Sequence, residues 1–112
     1  MERLNVYGLP DSLMNEIRAL AERHGVERVI LFGSRARGDF RRTSDIDLAV
    51  SGGRSAPSGR SAPGGNIAAF ALDVDEETNT LLRYDVVNLD GAVQPELRDA
   101  IDREGKIIYE KV

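Results

Sequence analysis

The sequence predicts a small α/β domain of the α+β kind, a mixed β-sheet flanked by helices. Three observations carry that prediction. Short apolar runs rich in β-branched residues recur as RVILF, DIDLAV and YDVVNL. Stretches with apolar residues at helical spacing stand before, between and after them. The order of elements, α-β-β-α-β-α-β, suits a few strands covered by helices. A chain of 112 residues fits one domain, spanning 1–112. Such a chain buries roughly two-thirds of its unfolded surface, enough for one modest core.

The first helix is expected from about Ser12 to His24. Asp11 or Ser12 can cap it. Leu13, Ile17, Leu20 and Ala21 share one face, and Gly25 supplies a stop. Arg28 to Phe32 reads as a buried strand that Gly33-Ser34 breaks, and Arg35 to Ser44 is short, polar and holds four arginines. Asp45 to Val50 alternates and reads as the second strand. Residues 51–65, SGGRSAPSGRSAPGG, contain GRSAP twice and lack core-forming side chains, so they read as a flexible, tolerated insertion. Asn66 to about Leu82 is expected to be helical, with Ile67, Phe70, Ala71, Val74 and Leu81 on one side. Tyr84 to Leu89 reads as the third strand. Pro95 can open a last helix that Gly105 closes, and Lys106 to Tyr109 forms a final short strand.

Composition excludes several classes of function. Without cysteine there are no disulfides and no thiolate metal sites, and a reducing compartment suits the chain. The N-terminal MERLNVYGLPDSL has no apolar h-region, and no apolar run approaches the roughly 20 residues of a membrane span, so a cytoplasmic location is expected. The net charge of -4 argues against a protein whose main task is gripping a nucleic-acid backbone.

Chemistry concentrates around the second strand. Residues i and i+2 of a strand share a face, so Asp45 and Asp47 project together, roughly 6.5 Å apart along the backbone. Two such carboxylates repel unless a cation sits between them. Hard divalent cations prefer oxygen ligands, which makes a magnesium pair the natural occupant. Two metals about 3.5–4 Å apart can hold the attacking and leaving oxygens of a phosphoryl displacement. Asp85 opens an otherwise apolar strand, where an unpaired charge is costly, and is the candidate third carboxylate. Gly33-Ser34 can cradle phosphate oxygens with turn amides and a hydroxyl. Arg35 or Arg42 could help neutralise a triphosphate.

Each piece alone is weak, and the combination is specific. Gly33-Ser34, the ten residues Arg35 to Ser44 and then Asp45-Ile46-Asp47 form a GS-x10-DxD pattern. In that pattern the chain resembles the polymerase β-like nucleotidyltransferases. LFGSRARGDFRRTSDIDLAV looks like their minimal nucleotidyltransferase branch, as do YDVVNLD and ELRDAIDREGKIIYE. The resemblance covers nearly the whole chain outside the GRSAP insertion. It implies magnesium-dependent transfer of AMP from ATP to a hydroxyl, with Gly33 and Ser34 on the phosphates. Asp45 and Asp47 would ligate two Mg2+ ions; Asp85 would ligate the catalytic one and help activate the acceptor. It further implies a partner, a small helical HEPN-domain ribonuclease toxin, which the chain as antitoxin would adenylylate on a tyrosine. Neutralisation by tight binding alone, and transfer to a small-molecule hydroxyl, remain the alternatives.

Other features read as structural. Asp73 and Asp75 repeat the DxD spacing, but on a helix side chains two apart diverge by about 200°, so a solvated acidic face is expected. Arg37-Gly38-Asp39 matches an adhesion tripeptide without a secretion signal. Arg35, Arg37, Arg41 and Arg42 also fit a solvated basic loop. His24, the one histidine, sits where it can oppose a helix dipole, and Asp90 before Gly91 reads as a turn residue. Tyr7, Tyr84 and Tyr109 form no stripe for stacking bases.

Overall fold

A computed structural model describes residues 3–52 and 66–111. The elements run α1 (Asp11–Arg23), β1 (Arg28–Phe32), α2 (Ser34–Arg37), β2 (Ile46–Ser51), α3 (Ile67–Glu77), β3 (Tyr84–Asn88), α4 (Pro95–Glu104) and β4 (Lys106–Glu110). The expected order is present, with one addition. The short turn α2 follows Gly33 directly, inside the stretch read as an irregular polar loop.

The strands form one mixed sheet in the order β3-β2-β1-β4. β1 pairs antiparallel with β2 and with β4, whereas β2 and β3 run parallel. Parallel neighbours need a crossover, and α3 lies within it. Alternation along the strands gives the sheet two different faces. Val29, Leu31, Ile46, Leu48, Val50 and Ile108 pack on one side with Leu13, Ile17 and Leu20 of α1 and with Ile67, Phe70 and Val74 of α3. Phe32 and Ala49 face the other way and meet Ile101 of α4. That second face is only partly covered, and it is the face that carries Asp47.

Local chemistry explains the ends of the helices. Pro10 stands at the N-cap of α1 with no side-chain cap bond, and Asp11 falls in the first turn. The expectation that Asp11 or Ser12 caps the helix therefore moves one residue. A proline before the helix fixes an extended entry, and the acid favours the first-turn amides. Asn66 does cap α3, its side chain accepting from the Ala69 N–H at 3.0 Å.

α3 stops at Glu77 rather than near Leu82. Thr78 turns its hydroxyl onto the Val74 carbonyl and the Tyr84 hydroxyl, giving the backbone an alternative to another helical turn. Leu81, expected on the buried side, is consequently fully exposed. Ser51 closes β2 instead of opening the Gly/Ser/Pro segment. The rest of that segment, 53–65, lies outside the described residues.

The second DxD differs from expectation in detail. Asp75 is exposed, but Asp73 is half-buried and accepts from His24 Nε2 at 2.6 Å. Arg23 binds Glu77 at 3.1 Å beside it. These contacts tie the end of α1 to α3. His24 thus serves as an inter-helix link at the C-cap position.

Candidate active site

β1 ends at Phe32, and Phe32 pairs with Asp47 in the antiparallel ladder. The turn after β1 is therefore delivered beside the Asp47 side chain. Gly33 has φ +76°, a left-handed value that glycine adopts without strain. A Cβ on Gly33 would also overlap Asp47 Oδ2. Two independent constraints, backbone sign and contact with the carboxylate, thus demand glycine here. Ser34 then begins α2. The first bond of that turn runs from Arg37 N–H to the Gly33 carbonyl at 3.0 Å, so the Ser34, Arg35 and Ala36 amides precede the ladder.

Asp47 and Asp85 are register partners across the parallel β2–β3 pair. Paired residues on adjacent strands point to the same face, and neighbouring strands lie about 4.8 Å apart. Asp45 precedes β2 by one residue and is exposed, as is Asp85, while Asp47 is half-buried. Burial pushes the Asp47 carboxyl up to about 6, with Asp85 and then Asp45 adding repulsion. The three sequence-selected carboxylates therefore share one electrostatic neighbourhood. Nothing comparable links Asp47 to Asp73 or Asp75.

These residues suit a divalent cation by chemistry. All are hard oxygen donors, and their crowding is the strain that a cation relieves. Among the described residues no three acidic or histidine side chains form a ready-made metal cage. That is compatible with magnesium, which is held by one or two carboxylates together with substrate phosphates and water.

The arginines divide sharply. Arg35, expected near phosphate, is 1% exposed. Its guanidinium faces inward onto backbone carbonyls, so the expectation of a phosphate contact is corrected. α2 places it on the turn's inner side, which a reading of residues 35–44 as loop could not reveal. Arg42 is exposed in the loop before Asp45. Arg37 is the residue that sequence reasoning left in the background. Its positive charge reaches Asp47, whose carboxyl it pulls back down. Arg37 itself binds Glu104 at 3.1 Å and Asp39 at 3.3 Å. The Glu104 and Asp39 bonds raise its affinity for its proton. Gly38, just beyond α2, was the available signal that Ser34–Arg37 forms a helical turn.

A separate concavity of about 510 Å³ is lined by Arg28, Ser51 and Glu110 among others. Those residues mark the opposite end of the sheet from Phe32 and Asp47. Asp45 and Asp85, at the other end, are exposed, and Asp47 is half-buried.

Residues 15–112 match the family model for the polymerase beta nucleotidyltransferase domain. A structure solved as a candidate minimal nucleotidyltransferase is 32% identical, with a TM-score of 0.58 over 86% of this chain and 89% of that one. A toxin–antitoxin structure with AMP-PNP matches at TM-score 0.63 and 23% identity, over 88% of this chain and 73% of that chain. A variant of the MntA–HpeT toxin–antitoxin pair matches at TM-score 0.62 and 21% identity, over 88% and 73% respectively. A search of the curated proteins finds no match. The chain belongs to the polymerase β nucleotidyltransferase family, and the 32% identical structure, similar in length, is of the minimal type. Among the described residues no helix is long and apolar enough to cross a membrane.

Proposed function

We propose that the protein is a cytoplasmic antitoxin that transfers AMP from ATP to a tyrosine hydroxyl of a partner HEPN ribonuclease, and so neutralises it. The observation that carries the nucleotidyl half is the gathering of Asp45, Asp47 and Asp85 beside Gly33-Ser34. The toxin–antitoxin structures of the same fold support the acceptor half.

In this reading the Ser34 hydroxyl and the α2 amides hold the β- and γ-phosphates. Arg37 leaves Glu104 to share the triphosphate charge, a role that suits a guanidinium. Asp45 and Asp47 would hold two Mg2+ ions, and Asp85 would hold one. Bound magnesium supplies charge neutralisation to the phosphoryl oxygens. Asp85, exposed at the sheet edge, orients the incoming tyrosine hydroxyl. The tyrosine oxygen bonds to the α-phosphorus as its proton passes by way of Asp85 to solvent, the bond to the β-phosphate bridge breaks, and pyrophosphate leaves. Catalysis here is positioning plus electrostatics, without a covalent enzyme intermediate.

The test is intact-mass analysis of a HEPN toxin after incubation with the protein, ATP and magnesium. A gain of one AMP per modified tyrosine is expected, and none with the Asp45→Asn, Asp47→Asn double variant. If that variant still neutralises the toxin fully, binding and not transfer is the mechanism.

A further inference from the structure

Among the described residues Arg35 is the largest fully buried side chain, and none of them offers it a carboxylate hydrogen bond. Its guanidinium spends its donors on the main chain. Nε and Nη2 donate to the Ser44 carbonyl at 3.1 and 2.9 Å. Nη2 also reaches the Arg42 carbonyl at 3.2 Å, and Nη1 reaches those of Tyr7 and Gly8 at 2.9 and 3.2 Å. The Phe40 ring lies 5.1 Å from the guanidinium carbon. Burying a charge in this way is expensive unless its hydrogen bonds are satisfied, and here they are.

The placement of those acceptors matters more than their number. Ser44 is the residue immediately before Asp45. Arg35 is the second residue after Gly33. One planar side chain thus joins the phosphate turn to the backbone that presents the first metal carboxylate. It also pins the N-terminal Tyr7-Gly8 segment against the same loop. Between α2 and Ser44 the chain contains no regular element, and the guanidinium bonds add to the short turn in which Arg41 N–H donates to the Ser44 hydroxyl and Ser44 N–H to the Arg41 carbonyl.

We infer that Arg35 is a positioning residue, a buried guanidinium clamp that fixes the loop between Gly33-Ser34 and Asp45 so that Asp45 and Asp47 converge on one divalent cation. This rests on the reading of Asp45 and Asp47 as metal ligands. A five-donor fork can span several carbonyls at once, whereas an ammonium holds the charge at one point. Charge alone does not substitute for geometry.

The closing experiment uses Mn2+ alone as the probe, measured by electron paramagnetic resonance on the intact chain, with the melting curve recorded in parallel. Arg35→Lys keeps the positive charge near Asp47 and removes the fork. It is expected to weaken Mn2+ binding about tenfold at temperatures where its circular dichroism is native, the scale of effect seen when a metal ligand loses its support. Gly8→Ala is the second variant. Its φ of +72° and the overlap of a new Cβ with Phe40, with Arg35 Nη1 at 3.0 Å, push on the clamp at a residue outside the carboxylate set. It is expected to weaken Mn2+ in the same direction, by less. A phosphate ligand would behave differently, lowering ATP affinity while leaving Mn2+ affinity untouched.

Native Mn2+ affinity in folded Arg35→Lys overturns the proposal. Should Arg35→Lys fail to fold, native affinity in Gly8→Ala overturns it. If the unaltered protein binds no Mn2+, the reading of the carboxylates fails and the clamp fails with it. Binding by the unaltered protein with unchanged variants sinks the clamp alone.

Discussion

Asp47 Oδ2 occupies the space that a Cβ on Gly33 would need. The Gly33 turn and the half-buried carboxylate are thereby in close approach, with no room for a side chain between them. Gly33→Ala must both displace Asp47 and hold a left-handed backbone angle, a conformation costing about 1–3 kcal/mol for a residue with a side chain. We expect a lower melting temperature and a loss of transferase activity of at least about a hundredfold, the scale on which small misplacements act. Retention of full activity would show that Asp47 need not sit against the turn.

The Asp47 carboxyl is raised from 3.8 to about 6, so between those values the folded chain holds a proton that the unfolded chain has released. Stability of the metal-free protein therefore falls as pH rises from about 4 to about 6, and stays low above it. Discounting for partial solvent exposure, the ionised group costs about 1–2 kcal/mol at neutral pH. Asp47→Asn should melt higher than the unaltered chain at pH 8 without metal and equally at pH 3, and should abolish transfer. Added Mg2+ should stabilise the unaltered chain and not the variant. Urea titrations at the two pH values decide the sign.

Asp85 stands across from Asp47 but on an edge strand and exposed to solvent. Asp85→Asn should leave the fold untouched and ATP binding largely intact while lowering turnover by about 10²–10³-fold, as for loss of one group that acts on the reacting oxygens. Single-turnover rates and nucleotide affinity, measured on the same preparation, separate the two effects. An equal fall in affinity would assign Asp85 to nucleotide binding instead.

The double variant Asp73→Asn, Asp75→Asn provides the converse. Asp73 bonds His24 between α1 and α3, far along the chain from the Gly33 turn. Its loss should cost about 1 kcal/mol of stability, the net value of a partly exposed charged hydrogen bond. Transfer rates should be unchanged. A drop in rate with no drop in melting temperature would contradict the assignment of these acids to helix packing.

Much of the molecule was legible in the order of residues. After Arg28 the strand is a run of four apolar residues, Val29–Phe32, of which Val29, Leu31 and Phe32 are buried, as suits a central strand. DIDLAV placed its acids two apart on a strand, and strand geometry alone put them on one face. The end of α3 was not legible, because Thr78 chose a side-chain bond over another turn only with Tyr84 nearby. Arg35 was misassigned for a similar reason. Four arginines in a short polar stretch look alike until a helical turn sends one of them inward.

The sequence by itself determined the spacing of Gly33-Ser34 from Asp45-x-Asp47, the strand on which those acids share a face, and the polymerase β class that the pattern resembles. Local periodicity and turn chemistry suffice for these, because each depends on neighbours in the chain. Only the tertiary structure decided that Asp85 is the register partner of Asp47, that the charge of Arg37 reaches Asp47, and that Arg35 is buried against main-chain carbonyls. Those facts depend on the parallel pairing of β2 with β3 and on what surrounds α2. Pairing register and burial are properties of segments distant in sequence, and only folding brings them together.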